Sequence, residues 1–319
     1  MEKEKNKTGH IDISVIIVNY NTGTLLRECY ASVLKHTQSA TWEVIIIDNA
    51  STDDSLLQLK QDLLPSRLIE NRRNEGFAKA ANQGMRMAKG TYIVLLNPDT
   101  LLRDDALGKM SVFMDNDPRI GACGCALFNE DGTLQMSAHP FPHLADIFFD
   151  RTHLAYVFPK NRIFGRYQMS YWAHNEIREV DWVSGACLMV RRQLIETTGM
   201  FDERFFMFCE DIDWCLRIKK SGWKIFYFPD TAVLHYKSKS SICPVKKAPL
   251  EAWKSLVIFW KKNHGNIQAA LLSEFLCADA LIKAVFLALV LVLSKEKQKI
   301  KKEIGYFMQL IKVIWIALG

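Results

Sequence analysis

From residue 13 to residue 130 the chain alternates two hydrophobic patterns. Ile13–Asn19 (ISVIIVN), residues 42–47 (WEVIII) and Tyr92–Leu96 (YIVLL) are short runs rich in β-branched residues and apolar at nearly every position. That is the pattern of strands buried on both faces. Between them apolar residues recur at helical spacing. Residues 24–35 put Leu25, Leu26, Cys29, Val33 and Leu34 on one stripe, and a helix from Ser51 carries Leu56, Leu57, Leu59, Leu63 and Leu64. A short strand at 67–69 precedes a helix over 77–89, stopped by Gly90. Strands alternating with helices predict a doubly wound, mainly parallel α/β sheet with flanking helices.

Beyond Asp99 the pattern loosens into a helix over 104–114, a strand over 120–127 and a turn at Asn129-Glu130-Asp131-Gly132. Residues 138–178 are rich in Pro, His and aromatics without clean periodicity, which predicts a mobile, substrate-specific loop. Regularity returns with a strand over 182–190, helices over 193–197 and 211–220, and strands over 224–228 and 232–235. The final stretch is helical. Residues 269–293 are mostly apolar but are interrupted by Glu274, Asp279 and Lys283, and the clean part, 284–293, is shorter than the roughly 20 residues a span needs. Ile300, Ile304, Phe307, Met308, Ile311, Ile314, Trp315 and Leu318 then mark one helix face, with Lys299, Lys301, Lys302 and Lys312 elsewhere. This describes an interfacial amphipathic helix, the alternative being a helical hairpin that packs on the body or dimerises. The expected organisation is a disordered start (1–10), a domain over 11–245 with halves meeting at 130, and a basic helical, membrane-associating tail over 246–319.

Charge sharpens this division. The chain carries +6 overall, yet residues 246–319 hold 12 Lys, no Arg and 5 acids, a surplus of +7 that leaves the rest at −1. A near-neutral body with a basic, apolar tail points to a membrane surface rather than to nucleic acid. Eight cysteines without a C-x-x-C pair read as buried free thiols of a reducing compartment, not as a zinc site or a disulfide scaffold. The charged start lacks an apolar h-region, so no signal peptide is expected.

Ligands bind open α/β sheets outside the carboxyl ends of the strands. Three polar clusters fall there: Val18-Asn19-Tyr20-Asn21, Asp48-Asn49-Ala50-Ser51-Thr52-Asp53 and Asn97-Pro98-Asp99. Each alone is turn or cap chemistry; three at one edge mark a ligand site. The Asp48 carboxylate suits the imide N–H of a pyrimidine base. Asn74-Glu75-Gly76-Phe77-Ala78 opens a helix whose N–H groups favour phosphate. Asp99 is a hard donor for Mg²⁺ or Mn²⁺ bridging a diphosphate. Further on, Glu210-Asp211-Ile212-Asp213 starts a helix, whose positive end keeps Asp211 ionised as a base requires and explains Asp213 as a dipole partner. His235 follows a strand and suits a metal, with Lys237 and Lys239 placed for phosphate. No G-x-G-x-x-G follows the first strand, against a nicotinamide dinucleotide fold, and the G-x-G-x-R pattern of sugar nucleotidyltransferases is missing too.

These motifs resemble the inverting glycosyltransferases of family 2, with the GT-A fold, over about residues 11–264. The resemblance rests on the opening from Ile13 to Asn21, Asp48-Asn-Ala-Ser-Thr-Asp53, Asn74-Glu-Gly-Phe-Ala-Lys-Ala-Ala-Asn82, Leu96-Asn-Pro-Asp99, Val183-Ser-Gly-Ala186 and Glu210-Asp211-Ile-Asp213. Asn-Pro-Asp in place of Asp-x-Asp, with Val180-Asp-Trp-Val-Ser-Gly-Ala-Cys-Leu-Met-Val-Arg-Arg192, is similar to the rhamnosyltransferase branch. The resemblance implies that Asp48 reads the base, helped by Val18, Asn19, Tyr20, Asn21, Asn49, Ser51, Asp53, Gly76, Phe77, Ala78, Asn82, Asn97 and Pro98 around the nucleotide sugar. It implies Asp99 and His235 as ligands of Mg²⁺ or Mn²⁺, and Asp211 as general base. Trp182, Ser184, Gly185, Ala186 and Glu210 would line the pocket where acceptor meets donor. The processive signature Gln-x-x-Arg-Trp is absent, so one sugar is expected to move, L-rhamnose from dTDP-rhamnose, onto a hydroxyl of a cell-surface glycan or lipid-linked acceptor. The rivals are a UDP-hexose or galactofuranose transferase with the same site, and a non-catalytic membrane scaffold. The expected place is the cytoplasmic face of the inner membrane, peripheral or monotopic, with a homo-oligomer as an open alternative and without nucleic acid.

Overall fold

The computed structural model describes residues 10–62, 67–236, 248–294 and 296–319. Lys237, Lys239, Cys243 and residues 1–9 lie outside them. The chain divides into two compact units, Met1–Glu203 with Glu210–Ile242, and Arg204–Cys209 with Cys243–Gly319.

The first unit runs β1 (Ile13–Asn19), α1 (Leu25–His36), β2 (Trp42–Asp48), α2 (Ser55–Asp62), β3 (Arg67–Glu70), α3 (Phe77–Met87), β4 (Tyr92–Leu96), β5 (Thr100–Leu102), α4 (Ala106–Asp115) and β6 (Ile120–Phe128). It continues with β7 (Leu134–Gln135), β8 (Ala138–His139), α5 (Leu144–Arg151), α6 (Leu154–Val157), β9 (Arg178–Glu179), β10 (Trp182–Val183), β11 (Cys187–Arg191), α7 (Leu194–Thr198), α8 (Glu210–Lys220) and β12 (Lys224–His235). Ile13, Val15 and Ile17 on one face of β1 share a buried cluster with Leu26, Cys29 and Val33 of α1 and with Leu107, Met110 and Met114 of α4. On the other face α3 comes so close that a Cβ added at Gly84 would lie 2.7 Å from Ile16 Cγ2. The two-faced burial explains why these strands read as unbroken apolar runs.

The main sheet has the order β3-β2-β1-β4-β11-β6-β12-β5, with β7 on β6 and β9 on β12. β3, β2, β1 and β4 are parallel, but β11 is antiparallel to both β4 and β6, and β5 is antiparallel to β12. The sheet is therefore mixed rather than mainly parallel. The strand expected over 182–190 breaks at Ser184–Ala186: β10 pairs with β8 in a separate small sheet, and Cys187 opens β11 opposite Leu96. Residues 224–235 form one strand with an irregular register between Phe228 and Ala232. The stretch expected to be a loop over 138–178 contains α5, α6 and two short strands, and the His143 N–H bonds Asp146 Oδ2 at 2.7 Å.

The second unit is a helical hairpin. α9 (Ala248–Leu293) changes direction at Gly265, where φ is 87° and ψ 171°. α10 (Lys297–Leu318) folds back along it, and Lys261 Nζ donates to the Leu318 carbonyl at 2.6 Å. Ile300 and Ile314, two residues of the stripe read as membrane-facing, are buried, as is Leu310. Trp315, Ile316, Ile282, Phe286 and Leu289 remain exposed. Among the described residues no helix is long and apolar enough to cross a membrane.

Candidate active site

β1, β2 and β4 are neighbours and parallel, so the loops that follow them leave the sheet at one edge, with Asn19 opposite Asp48. Asn19 is fully buried and knots the first two loops together. Its Nδ2 donates to Asp48 Oδ1 at 2.7 Å, Ser55 Oγ at 2.9 Å and Ser51 Oγ at 3.0 Å. Asp48 Oδ2 accepts from Ser51 N at 3.1 Å. Asn21, in the left-handed region at φ 52°, accepts from Thr52 N at 2.7 Å, and Gly23 N donates to Asp53 Oδ2 at 2.8 Å. Asn49 extends the lattice by donating to Asn74 Oδ1 at 2.9 Å and to the Gly76 carbonyl at 3.2 Å. Gly76 opens α3 at φ 84°, which a glycine adopts at little cost. These side chains fix the wall of the site before any ligand arrives.

β12 brings His235 to the same edge, paired with Thr100 of β5. Asp99 Oδ1 lies 3.3 Å from His235 Nε2, and Asn97 Nδ2 lies 3.5 Å from it. The sequence pattern did not single out Gln135 of β7, which determines the state of this ring. Its Nε2 donates to the His235 carbonyl and to Asn129 Oδ1, both at 2.7 Å. A backbone carbonyl only accepts, so that end of Gln135 is the amide nitrogen and Oε1 is the atom 2.9 Å from His235 Nδ1. Nδ1 therefore carries the hydrogen, and in the neutral ring Nε2 presents a lone pair to Asp99. Two acceptors 3.3 Å apart repel unless a cation or a proton lies between them. A carboxylate oxygen and an imidazole nitrogen suit a divalent ion such as Mn²⁺. Among the described residues no group of three or more His, Cys, Asp and Glu gathers around an ion site. The rest of such an ion's coordination would come from water or ligand oxygens, as it does where a metal bridges phosphates.

Ser184-Gly185-Ala186, the break between β10 and β11, joins this cluster to the next. The Ala186 carbonyl accepts from Asn97 N at 3.0 Å, while Gly185 N donates to Asp211 Oδ2 at 3.1 Å. Ile212 N also donates to Asp211, at 2.9 Å. Phe208 and Cys209, at φ 70° and 64°, turn the chain sharply into α8, a strain of about 1–3 kcal/mol per residue for non-glycine positions. Burial raises the pKa of Asp211, and the N–H donors of Gly185 and Ile212 pull it back. Glu210 is pushed well above the carboxylate range by burial first and by the Asp211 charge second. Its buried Oε2 has no hydrogen-bond partner among the described residues. Asp213 is spent on Arg217, at 3.0 Å.

Other candidates brace the site from behind. Asn82 bonds Phe201 N at 3.1 Å, the Phe201 carbonyl at 2.9 Å and Glu203 at 3.0 Å, so its amide is committed. Phe77 lies against Phe201, and Trp182 donates to the Pro140 carbonyl with its ring stacked 4.4 Å from His139. Val18, Ala78 and Pro98 are buried. Tyr20, Asn21, Ser51, Ser184 and Asn97 are partly exposed, and Asp53 is exposed.

The family model for "Glycosyl transferase family 2" matches residues 14–197. The N-acetylglucosaminyl-diphospho-decaprenol L-rhamnosyltransferase of Mycobacterium tuberculosis is 29% identical over 265 residues, covering 80% of this chain and 85% of that protein. Rhamnosyltransferase WbbL of Escherichia coli is 26% identical over 240 residues, covering 70% and 83%. Among solved structures, the mannosyltransferase PcManGT of Pyrobaculum calidifontis, in complex with GDP-Man and Mn²⁺, superposes with a TM-score of 0.55 at 18% identity, covering 96% and 88%. The match across more than half the chain and the glycosyltransferase relatives agree with an edge site on a mixed sheet: the chain belongs to glycosyl transferase family 2 and is a glycosyltransferase.

Proposed function

We propose that the protein moves one L-rhamnosyl residue from dTDP-rhamnose to a hydroxyl of a lipid-linked glycan, with inversion and with a divalent metal. The carrying observation is that Ser184–Ala186 ties the Asp99–His235 pair and the Asp211 carboxylate to one sheet edge through two backbone bonds. Asp48 accepts the imide N–H of the base, and the start of α3 at Gly76 faces the diphosphate. Asp99 and His235 would hold Mn²⁺ or Mg²⁺, which when bound offsets the charge of the leaving diphosphate. Asp211 accepts the proton of the acceptor hydroxyl as that oxygen attacks the anomeric carbon opposite the diphosphate. Its raised pKa brings it nearer the operating pH of a base, and Gly185 N holds its Oδ2 in place. The wet edge left by Tyr20, Asn21 and Ser51 is where a nucleoside would lie. Uracil and thymine present the same imide edge, so the choice of dTDP-rhamnose rests on the rhamnosyltransferase relatives and on Asn97-Pro98-Asp99.

The acceptor reading rests on a relative named for transfer to a decaprenol-linked sugar. The tail over residues 246–319, with its +7 surplus and the exposed Trp315, Ile316, Phe286 and Leu289 of the helical hairpin, would hold the enzyme on the cytoplasmic face of the membrane. A thermal-shift panel of nucleotide sugars with and without Mn²⁺ tests the donor, because a true donor stabilises the fold by mass action. The largest shift is expected for dTDP-rhamnose with Mn²⁺. Stabilisation and turnover by uridine hexoses alone would overturn the donor assignment, and no transfer from any donor would favour a scaffold.

A further inference from the structure

The segment between β8 and β9 carries a surface that the transfer chemistry does not use. Tyr156, Val157, Phe158 and Ile163, within eight residues of chain, are 70%, 65%, 50% and 64% exposed. Ring contacts join Phe158 to what lies beneath: Phe158 meets Phe164 at 5.6 Å, and Phe164 meets Phe149 at 5.0 Å. Isolated exposed apolar residues need no explanation, but four in eight positions make a patch that something apolar must cover. The charge around it identifies the cover. From residue 151 to residue 166 the chain has four cations and no Asp or Glu, and the one acid at its border, Asp150, is hydrogen-bonded by the Tyr156 hydroxyl. Arg166 turns inward onto Asp146 at 2.8 Å, whereas Lys160 and Arg162 are exposed beside the patch.

We propose that this tip, Tyr156 to Ile163 with Lys160 and Arg162, seats the catalytic unit on an anionic lipid surface. Aromatic and aliphatic side chains ringed by cations match the boundary between headgroups and acyl chains. A second copy of the chain is a poor cover, because a symmetric contact would bring Lys160 and Arg162 against their own kind. The segment that carries the tip leaves from a strand bound beside the site. β8 pairs with β10, setting His139 opposite Trp182, and Ser184 N donates to the Ser137 carbonyl at 2.8 Å, one residue before Gly185. This seating deepens the membrane part of the proposed function and assigns it a contact separate from the hairpin.

The test uses the full chain and extruded vesicles of phosphatidylcholine, with and without an equal part of phosphatidylglycerol, read by co-sedimentation. Three variants are compared with the parent: V157S/F158S/I163S, K160E/R162E, and W315S/I316S in α10. All substituted positions are exposed, and unchanged melting temperatures would show that the variants are folded. Both tip variants should lower partitioning onto the anionic vesicles by about tenfold or more, and K160E/R162E should also flatten the salt dependence. Tip variants that bind like the parent, while W315S/I316S loses binding, would overturn the tip and leave membrane association through the hairpin standing. A parent chain that binds neither vesicle would overturn both.

Discussion

Replacing Gln135 by Leu is the most direct probe of the metal side of the site, because Gln135 touches neither donor nor acceptor in the proposed mechanism. The substitution keeps most of the volume and removes three hydrogen bonds, at 2.7, 2.7 and 2.9 Å. Two consequences follow. The His235 carbonyl, Asn129 Oδ1 and His235 Nδ1 lose their partner, and buried polar groups left without one cost about 1–3 kcal/mol each, so the melting temperature falls. With no acceptor at Nδ1, the ring is free to place its hydrogen on Nε2, where Asp99 Oδ1 waits at 3.3 Å. That tautomer closes the lone pair a metal needs. Loss of a hydrogen-bond partner behind a metal ligand typically costs 10–100-fold in affinity, about 1.4–2.8 kcal/mol. Titrating Mn²⁺ against the protein in the presence of dTDP, followed by the electron paramagnetic signal of free Mn²⁺, reads this directly, and ¹⁵N shifts of labelled histidine report the tautomer. Unchanged Mn²⁺ affinity with the hydrogen still on Nδ1 would show that Gln135 does not govern the ring.

Asp211→Asn should leave dTDP binding near the parent value and lower turnover by about 10²-fold or more; parent-like turnover would remove Asp211 from the chemistry. Asp99→Ala should abolish the Mn²⁺ dependence of donor binding, measured by calorimetry, and His235→Ala should do so more mildly. Glu210→Gln tests the buried acid pair through stability. Because burial and the Asp211 charge raise the Glu210 pKa, the folded chain holds a proton that the unfolded chain releases, so stability is full below about pH 4.3 and falls as pH rises toward the folded pKa. The variant removes that slope, and its melting temperature relative to the parent should climb as pH rises above about 4.3; a constant difference would show that Glu210 is ionised in the fold. Gly76→Ala places a side chain at φ 84° and should cost about 1–2 kcal/mol in chemical denaturation, with a loss of donor affinity.

The first half of the fold was legible because its strands are buried on both faces, so Ile13–Asn19 and Tyr92–Leu96 announce themselves by composition alone. The break in the run over 182–190 was less visible: Ser184 and Gly185 are a small polar dip, and the pairing that separates β10 from β11 is made with β8 and β4, far away in sequence. The same limit applies to Gln135. As one polar residue past a hairpin turn it carries no pattern, and its partner His235 is 100 positions away. Asn82 shows the converse. Its motif singled it out for the ligand, yet its amide bonds the backbone of Phe201. In the hairpin, helical periodicity identified an apolar stripe correctly but could not say which part of it a second helix would bury, and Ile300 and Ile314 went inward.

The antiparallel course of β11 is what makes one site out of two clusters. A strand parallel to β4 would have begun at the opposite edge, leaving residues 184–186 remote from Asn97. Entering beside Leu96 instead, the chain spends the Ala186 carbonyl on Asn97 and the Gly185 N–H on Asp211 within two peptide units. Backbone at that spacing is stiffer than any pair of side chains, because planar peptide units leave two soft torsions per residue. In the proposed mechanism a displacement of Asp211 by about 1 Å would spoil the approach of the acceptor hydroxyl to the donor. The glycine completes the arrangement: a Cβ at position 185 would sit 3.5 Å from Asp211 Oδ2, against the carboxylate to which the proposed mechanism brings the acceptor.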